Sequence, residues 1–571
     1  MIDLAEVKDI LLDERDVGAV TCSYGKSFQG KKYSCLVFCD LLLSYKRYPI
    51  AIGIDDNWKT ELFDFYIRNY STYPFIPHVS NNGKICLFDL EGALIDWDFE
   101  GLLKQCVRQA ISILQDGFSE KNKLDLMTEF NAYWCELPGC LPAKIEVPSD
   151  SHTGLLKYIH NVPKRKRHKD NFRRNSRKSI LYACPAGNKM FEEWNIQGTQ
   201  KNGLFIRMKS EKYIFPPDPR KPLSVDFINY LLGFIDKKSV EKNIRKIGKE
   251  TSIIFDISQP NGIRVQLGIL CGQMSLKESE NQIILDPETK ITPLDLIRMD
   301  TEYLQKRTED GINPIKGKHI LLVGCGSIGG YISCMLAKSG CDSLTLVDND
   351  LFREENIFRH VLGKSYVNYY KSVALSRYLQ ESIPGISVKS TEGKIEELVL
   401  EDSIVLNDYD LIVAATGNHI INRWMNNYLL DNCLSVPVVY VWNEPLDIGC
   451  HALLVDYSSC EGDLEKIFSR DEAGTLFDRT AYCSHKHSLT RQLQGCGSSF
   501  VPYGSEISIQ AALISVDIIK KMYTGRIHSG HMISYKGSGF YFHKAGMHST
   551  QEYTRQSEQI SEHNIFDLQE N

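Results

Sequence analysis

Residues 319–350 read HILLVGCGSIGGYISCMLAKSGCDSLTLVDND, and this stretch decides the fold of the C-terminal half. A short apolar strand runs into a G-x-G-x-x-G turn that opens a helix, and the next strand ends at Asp348. Glycines allow the backbone to approach a phosphate group closely, and the unpaired N–H groups of a helix N-terminus favour negative charge. The stretch therefore predicts a nucleotide site, with Asp348 at the separation expected of a ribose-binding acid. The loop glycines are Gly324, Gly326 and Gly329.

The alternation of strands and helices continues on the C-terminal side. Apolar strands at 411–414 and 438–441 predict a doubly wound, mostly parallel sheet. By itself the glycine loop fits a nicotinamide-dependent oxidoreductase equally well. That class has no need of a cation cluster just past the ribose acid. An enzyme in which a carboxylate attacks the α-phosphate of ATP does need one, because Arg and Lys stabilise the charge on the phosphate oxygens. The charged and polar residues in question are Asp350, Asn356, Arg359 and Lys371.

This series of a glycine loop, D-x-D, N-x-x-R and a lysine resembles the ThiF/MoeB/HesA superfamily of adenylation domains. The resemblance implies ATP together with Mg²⁺, ribose binding by Asp348, and phosphate binding by Asn356, Arg359 and Lys371. It also implies a homodimer in which an arginine that precedes the loop reaches into the partner subunit. Arg298 and Arg307 are the two candidates for that arginine.

The chain departs from the superfamily pattern at one position. The superfamily has T-D-N after the fourth strand, with the aspartate placing magnesium, whereas residues 416–418 of this chain are Thr-Gly-Asn. The metal ligand is therefore unknown from the sequence. Asp350 and Asp408 are possible substitutes, and a site in which ATP and water alone hold the metal is the other alternative.

A second motif lies in the N-terminal part of the chain, where residues 73–87 read YPFIPHVSNNGKICL. The Y-P-x-x-P segment followed by N-G-x-I-C-L resembles ubiquitin-conjugating enzymes over roughly residues 15–135, including a long helix at 101–116. The resemblance implies that Cys86 is a catalytic cysteine, and cysteine is the side chain best suited to forming a thioester. The family's H-P-N triplet is absent, which leaves the oxyanion residue open. The candidates are His78, Asn81 and Asn82.

If the activating half works like a ubiquitin-activating enzyme, as the resemblance implies, a first cysteine loads the carrier cysteine. Cys483 and Cys496 are the candidates in the C-terminal half, and Cys496 is favoured because it lies in a loop of small residues just before an apolar helix. Cys325, inside the glycine loop, is interpreted as a packing residue.

The middle of the chain contains no sequence motif that indicates catalysis. It mixes strands at 204–208, 252–256 and 263–270 with a helix near 224–247, and it is interpreted as a bridging domain. Its basic stretch at 164–178 is interpreted as a solvated linker, with a patch for an acidic partner or nucleic acid as the alternative. The predicted domains are a conjugating-like α+β domain at 1–150, the bridging domain at 151–300, and an α/β adenylation domain at 301–571.

Composition narrows the class of protein. The net charge of −6 over 571 residues argues against a protein that coats nucleic acid or an anionic membrane. No apolar run reaches the ~20 residues that span a bilayer. The 17 cysteines include no C-x-x-C pair, which is the strongest zinc signature. A cytoplasmic protein with no membrane or nucleic-acid partner is expected.

The two motifs together resemble the fused activating and conjugating enzymes of bacterial anti-phage systems of the CBASS type. The resemblance implies that the activated protein is a cGAS-like nucleotidyltransferase, joined through its C-terminus to a target lysine. The alternatives are a sulfur-carrier adenylyltransferase, which would not need Cys86, and a non-catalytic module that binds a nucleotide or peptide, which the Gly417 departure favours.

Overall fold

The computed structural model shows an α/β and α+β protein of two compact units, Met1–Asp300 and Thr301–Asn571. The residues that the structure describes are 2–88, 97–148, 150–161, 179–235, 237–274, 276–278, 283–306, 313–458, 463–485, 491–492 and 499–567. Among these residues, no helix has the length and apolar character needed to cross a membrane.

The first unit begins with an antiparallel sheet of strand order β1-β4-β5-β6-β7, and helix α2 packs its apolar face on that sheet. The Asp98 side chain accepts a hydrogen bond from the Gly101 N–H at 3.0 Å and so caps α2, which contains the predicted helix 101–116. The elements are α1 (Leu4–Asp13), β1 (Val17–Tyr24), β2 (Ser27–Phe28), β3 (Lys31–Lys32), β4 (Cys35–Leu43), β5 (Lys46–Ile54), β6 (Asp64–Ile67), β7 (Lys84–Ile85), α2 (Phe99–Phe118), α3 (Asp125–Thr128) and α4 (Phe130–Cys135).

The rest of the first unit is a closed seven-stranded barrel of strand order β10-β8-β16-β13-β12-β11-β9. Its first strand begins at Leu141, on the N-terminal side of the boundary expected at 150/151. The predicted single helix at 224–247 is wrong: Gly233 ends α6, and α7 begins at Lys237. The elements are β8 (Leu141–Ile145), β9 (Gly154–Asn161), β10 (Ile180–Pro185), α5 (Met190–Glu193), β11 (Lys201–Lys209), α6 (Val225–Leu232), α7 (Lys237–Ile244), β12 (Thr251–Ser258), β13 (Arg264–Gly272), β14 (Leu276–Glu278), β15 (Ile283–Leu285) and β16 (Lys290–Arg298).

Two hydrogen-bonded contacts fasten the barrel to the sheet domain within this unit. The buried Trp134 donates its indole N–H to the Leu294 carbonyl of β16 at 3.0 Å. The Arg220 guanidinium donates to the carbonyls of Tyr70 and Tyr73 at 2.6 and 3.0 Å, and its charge lies 4.3 Å from the centre of the Tyr70 ring. The barrel therefore supports the segment that leads to Cys86.

The second unit is built on an eight-stranded sheet of order β19-β18-β17-β20-β21-β22-β27-β28. Its strands and α-helices are α8 (Thr301–Gln305), β17 (His319–Val323), α9 (Ser327–Lys338), β18 (Ser343–Val347), α10 (Lys371–Ser382), β19 (Ser387–Thr391), α11 (Ile395–Leu400), β20 (Leu411–Ala414), α12 (His419–Asp431), β21 (Val438–Asn443), β22 (Gly449–Val455), β23 (Phe468–Arg470), β24 (Leu476–Asp478), β25 (Arg491–Gln492), β26 (Ser499–Phe500), α13 (Ser505–Tyr523), β27 (His531–Lys536), α14 (Phe540–Lys544), α15 (Gln551–Arg555) and β28 (Ile560–Asn564).

Five of these strands, from β19 to β21 in the sheet order, are parallel, and the other three are antiparallel. Val323 pairs with Val347 on one side and with Ala414 on the other, so the loops after β17, β18 and β20 meet at one edge. Apolar cores lie on both faces of the sheet. The predicted doubly wound sheet is therefore confirmed, and its carboxyl edge is where such folds bind ligands.

Candidate functional site: a nucleotide cleft and an exposed cysteine

The glycine loop follows β17 and opens α9. Gly324 has a φ of +91°, and a Cβ there would lie 2.6 Å from the carbonyl oxygen of Ala415. A Cβ on Gly329 would collide with the carbonyl oxygen of Gly324, so glycine is required at both positions. Gly326, which precedes α9, faces open space. The loop therefore presents bare backbone at a helix N-terminus, where a phosphate binds well.

Asp348 lies beside this loop at the end of β18. Its carboxylate accepts hydrogen bonds from the backbone N–H groups of Cys325 and Asp350, both at 2.7 Å, and burial raises the pKa of the Asp348 carboxyl. Cys325 is buried, and burial raises the pKa of its thiol as well. A cleft of about 400 Å³ opens beside Asp348. Its lining includes Gly324, Asp350, Lys394, Thr416 and Asn418.

The predicted phosphate-binding residues come from the segment after β18. Lys371 begins α10 and its ammonium lies 2.7 Å from the Asp350 carboxylate. The Asn356 side-chain oxygen accepts the Arg353 N–H at 3.0 Å. The Arg359 carbonyl accepts the Ser327 hydroxyl at 2.7 Å, which fixes the arginine beside the first turn of α9. The structure therefore brings Lys371 to the D-x-D pair and Arg359 to the glycine loop.

His360 is a residue of this site that the sequence analysis missed. Its Nε2–H donates to the Cys325 carbonyl at 2.8 Å, because its Nδ1 accepts the Leu362 N–H at 3.1 Å. Burial lowers the pKa of His360 to about 4, so the ring is neutral at pH 7. It supports the glycine loop from a position 35 residues away in the chain, a contact that no local pattern reveals.

The altered T-G-N triplet forms the turn after β20. Gly417 is exposed at a φ of +63°, and a Cβ there would meet nothing within 4 Å. Asp408, considered as a substitute metal ligand, precedes β20 and so lies at the opposite edge of the sheet from the glycine loop. Among the described residues, no group of three or more His, Cys, Asp or Glu side chains is placed to hold a metal ion. Asp350, which is paired with Lys371, lines the cleft together with Asp348 and Glu396.

Of the two arginines proposed to reach a partner subunit, the structure describes only Arg298. Arg298 forms an ion pair with Asp300 at 2.7 Å and its side chain is largely buried. Arg307 lies outside the described residues, as does the basic stretch at 164–178.

Cys86 is exposed and follows β7 directly. Its backbone N–H donates to the His78 carbonyl at 2.8 Å. The turn before it depends on Gly83, which has a φ of +86° and where a Cβ would lie 2.5 Å from the Ile67 carbonyl. The N-G-x-I-C motif thus builds a tight turn that leads into an open cysteine.

The three oxyanion candidates have different partners. Both ring nitrogens of His78 face carboxylates, Nδ1 to Glu129 at 2.8 Å and Nε2 to Asp125 at 3.1 Å. Asn81 donates its N–H and its side-chain amide to Glu136. The Asn82 side-chain oxygen accepts the Ser80 hydroxyl at 2.7 Å and the Lys84 N–H at 3.0 Å. Within the described residues no hydrogen bond engages the Asn82 Nδ2, which leaves Asn82 as the candidate with donor capacity.

Of the two candidates for the loading cysteine, only Cys483 is described. The Glu444 carboxylate accepts its N–H at 2.6 Å, and burial raises the pKa of its thiol to about 12. Such a thiol is a poor nucleophile at neutral pH. Cys496 lies outside the described residues.

Comparison with known families identifies two matching domains. Residues 301–556 match the ThiF family, and residues 32–138 match Prokaryotic E2 family B. This pair of domains defines the class: an enzyme in which a ThiF-type adenylation domain is fused to a ubiquitin-conjugating-like domain. The chain thereby resembles the bacterial fused enzymes of the CBASS type.

Individual proteins are also similar to this chain. The chain is 24% identical over 499 residues to the "ATP-dependent ubiquitin transferase-like protein Cap2" of Escherichia coli (strain TW11681), which covers 78% of this chain and 80% of that protein. The protein of the same name from Pseudomonas aeruginosa is 29% identical over 235 residues, 40% of each chain. A solved structure, E. coli MccB with MccA, covers 44% of this chain and 65% of that chain at 18% identity and a TM-score of 0.32.

Proposed function

We propose that this protein activates the C-terminal carboxylate of another protein with ATP, carries the acyl group on cysteine thioesters, and transfers it to an amine. One observation carries the proposal: a single chain holds both a glycine-loop cleft flanked by Asp348 and Lys371 and an exposed Cys86 that follows an N-G-x-I turn. An adenylating enzyme without a conjugating step would have no use for the second feature.

The proposed chemistry has four steps. The substrate carboxylate attacks the α-phosphorus of ATP, which forms an acyl-adenylate and releases pyrophosphate. A cysteine thiolate, proposed to be that of Cys496, attacks the acyl carbon and AMP leaves. The Cys86 thiolate then attacks that thioester and the first thiolate leaves. An amine, proposed to be a lysine of a target protein, attacks the Cys86 thioester, loses a proton and displaces the Cys86 thiolate.

The described residues suit the first step. The bare backbone of the glycine loop and the N-terminus of α9 bind phosphate oxygens. Asp348 accepts ribose hydroxyls at the cleft wall. Arg359 and Lys371 are cations that stabilise the charge which develops on the phosphates. Mg²⁺ accompanies ATP in the proposal. With Gly417 at the usual aspartate position, the carboxylates that line the cleft besides Asp348 are Asp350 and Glu396, and the described residues form no group of three metal-binding side chains.

The proposed partners follow from the same reasoning. The activated protein is proposed to be a cGAS-like nucleotidyltransferase, as in the CBASS-type enzymes that the chain resembles. The adenylation unit is proposed to act as a homodimer in the cytoplasm. At the thioester step, Asn82 is the proposed oxyanion donor, because His78 and Asn81 are engaged by carboxylate and carbonyl groups of the helical segment.

The test uses the intact Cys86→Lys variant, because a lysine at this position would convert the labile thioester into a stable amide. The variant is incubated with ATP and a lysate of the source cells, and adducts at position 86 are identified by mass spectrometry. The expected result is an ATP-dependent adduct through the C-terminus of one protein.

Cys135→Lys is the matched control, since Cys135 is an exposed cysteine of the same domain without the motif. It should form no adduct, and neither should Cys86→Lys combined with Asp348→Ala. Absence of any ATP-dependent adduct at position 86 would contradict the conjugating step. Pyrophosphate release without that adduct would favour a sulfur-carrier adenylyltransferase, and no release would favour a binding module.

A further inference from the structure

Arg359 is held from two directions by the chain around the start of α13. Its guanidinium lies 5.0 Å from the centre of the Tyr503 ring. Its carbonyl accepts the Ser327 hydroxyl at 2.7 Å, and that hydroxyl lies 2.7 Å from the hydroxyl of Ser508. Tyr503 and Ser508 are far from Arg359 in sequence and belong to no nucleotide-binding motif.

Ser508 is the centre of a buried polar chain. It is fully buried in α13, and besides its contact with Ser327 it accepts the Asn443 side-chain amide at 3.1 Å. Asn443 ends β21, two strands from the glycine loop in the sheet order. The hydroxyl pair therefore connects the end of β21, the first turn of α13 and the first turn of α9, which carries the loop. A buried hydrogen-bonded chain of this kind is expensive to break.

The turn after β21 fixes the position of Tyr503. The Leu446 N–H donates to the Pro502 carbonyl at 2.8 Å, and the Asp447 carboxylate accepts the Gly504 N–H at 2.8 Å. Tyr503 lies between these two tethered residues. Leu446 and Asp447 have φ values of +51° and +59°, and non-glycine residues adopt this conformation only where surrounding contacts require it. The strained turn at Leu446 and Asp447 therefore holds the segment that places the Tyr503 ring against Arg359.

We propose that Tyr503 and Ser508 are positioning residues, which hold Arg359 in the orientation that binds the phosphates of ATP. The Tyr503 ring restricts the guanidinium and the Ser508 hydroxyl restricts the Arg359 backbone through Ser327. The inference rests on the proposed function, since it assigns Arg359 to phosphate binding. It adds that the nucleotide site depends on a segment remote from the G-x-G-x-x-G motif.

The test compares ATP and adenosine binding by titration calorimetry on the intact chain. Tyr503→Leu removes the aromatic face, and we expect ATP affinity to fall about three- to tenfold, in line with a cation–π contact. Adenosine, which has no phosphates, should bind as it does to the wild type. Tyr503→Phe keeps the ring and should restore ATP affinity. Arg359→Ala together with Tyr503→Leu should bind ATP no more weakly than Arg359→Ala alone.

The opposite end of α13 offers a matched control. Lys318 lies 5.1 Å from the Tyr523 ring centre, so Tyr523→Leu removes a similar contact outside the site and should leave ATP affinity unchanged. Ser508→Ala should weaken ATP binding, whereas Ser515→Ala, which loses a bond only to its own helix, should not. Unchanged ATP affinity in Tyr503→Leu, or an equal loss for adenosine, would overturn the inference. A wild-type chain that binds no ATP would instead contradict the proposed function.

Discussion

The backbone N–H of Cys86 donates a 2.8 Å hydrogen bond to the carbonyl oxygen of His78. His78 has a φ of +60°, and its own N–H donates to the Tyr133 hydroxyl at 2.7 Å. The exposed cysteine is thereby connected through one strained histidine to the segment of the short helices α3 and α4. Asp125, at the start of α3, and Glu129, between α3 and α4, are the carboxylate partners of His78.

This arrangement predicts a pH-dependent stability of the first unit. The hydrogen bond with Glu129, assisted by Asp125, raises the pKa of His78 to about 9. Because this exceeds the ordinary value of about 6.5, the stabilisation is complete below pH ~6.5 and is lost as the pH rises through about 9. We expect His78→Gln to lower the Tm of this unit by about 2–6 °C at pH 6 and by much less at pH 10, measured by scanning calorimetry.

The control for this prediction is His160→Gln. The His160 ring bonds an uncharged partner, the Ser179 hydroxyl, at 2.8 Å, so this variant removes a histidine contact of a different kind. A His78→Gln effect that is equally large at pH 6 and pH 10 would rule out the charged contact as its cause.

Gly324→Ala should destabilise the second unit by about 2–4 kcal/mol, because it combines a left-handed backbone with a 2.6 Å approach to the Ala415 carbonyl. Gly326→Ala is the matched substitution two residues later, where a methyl group meets nothing within 4 Å. Urea unfolding of both variants measures the difference. Similar stability losses for the two would show that the loop adjusts and that the collision is not decisive.

Lys371→Met should lower the rate of adenylate formation about 100-fold, because it removes a cation from the carboxyl edge of the sheet. The assay is ATP–pyrophosphate exchange with the protein captured by Cys86→Lys. The exposed Lys364, seven residues earlier in the same segment, gives the control variant Lys364→Met, which should exchange normally. An exchange rate in Lys371→Met within twofold of wild type would remove Lys371 from the site.

The rate of thiol alkylation should distinguish Cys86 from Cys483. Cys86 is exposed, whereas burial raises the pKa of Cys483 to about 12, so iodoacetamide at pH 8 should modify Cys86 about 100-fold faster. Peptide mapping after timed alkylation measures both rates in one sample. We also expect Cys483→Ser to keep thioester transfer and Cys496→Ser to lose it. Alkylation of Cys483 as fast as that of Cys86 would reopen its candidacy as the loading cysteine.

The predictable part of this protein lies in its local motifs. Residues 324–329 and Asp348 could be placed beside one another because strand, loop and helix follow in a short stretch of chain. His360, Tyr503 and Ser508 could not, since each reaches the loop through contacts between distant segments. The sequence predicts only a bridging domain in place of the barrel, because barrel closure depends on pairings such as β8 with β16 that strand patterns do not specify. The break between α6 and α7 falls between Leu232 and Lys237, inside a stretch whose apolar pattern predicts one helix.

The barrel's hydrogen bonds to the sheet domain determine how large the carrier unit of the proposed function is. If the barrel were removed, the buried Trp134 indole would lose its Leu294 partner, and the carbonyls of Tyr70 and Tyr73 would lose their hydrogen bonds from Arg220. A fragment truncated near residue 138 should therefore be a poor stand-in for an independent carrier protein. Under the proposed function, the group that carries the acyl chain on Cys86 is therefore a compact unit of 300 residues, Met1–Asp300, and not a small domain.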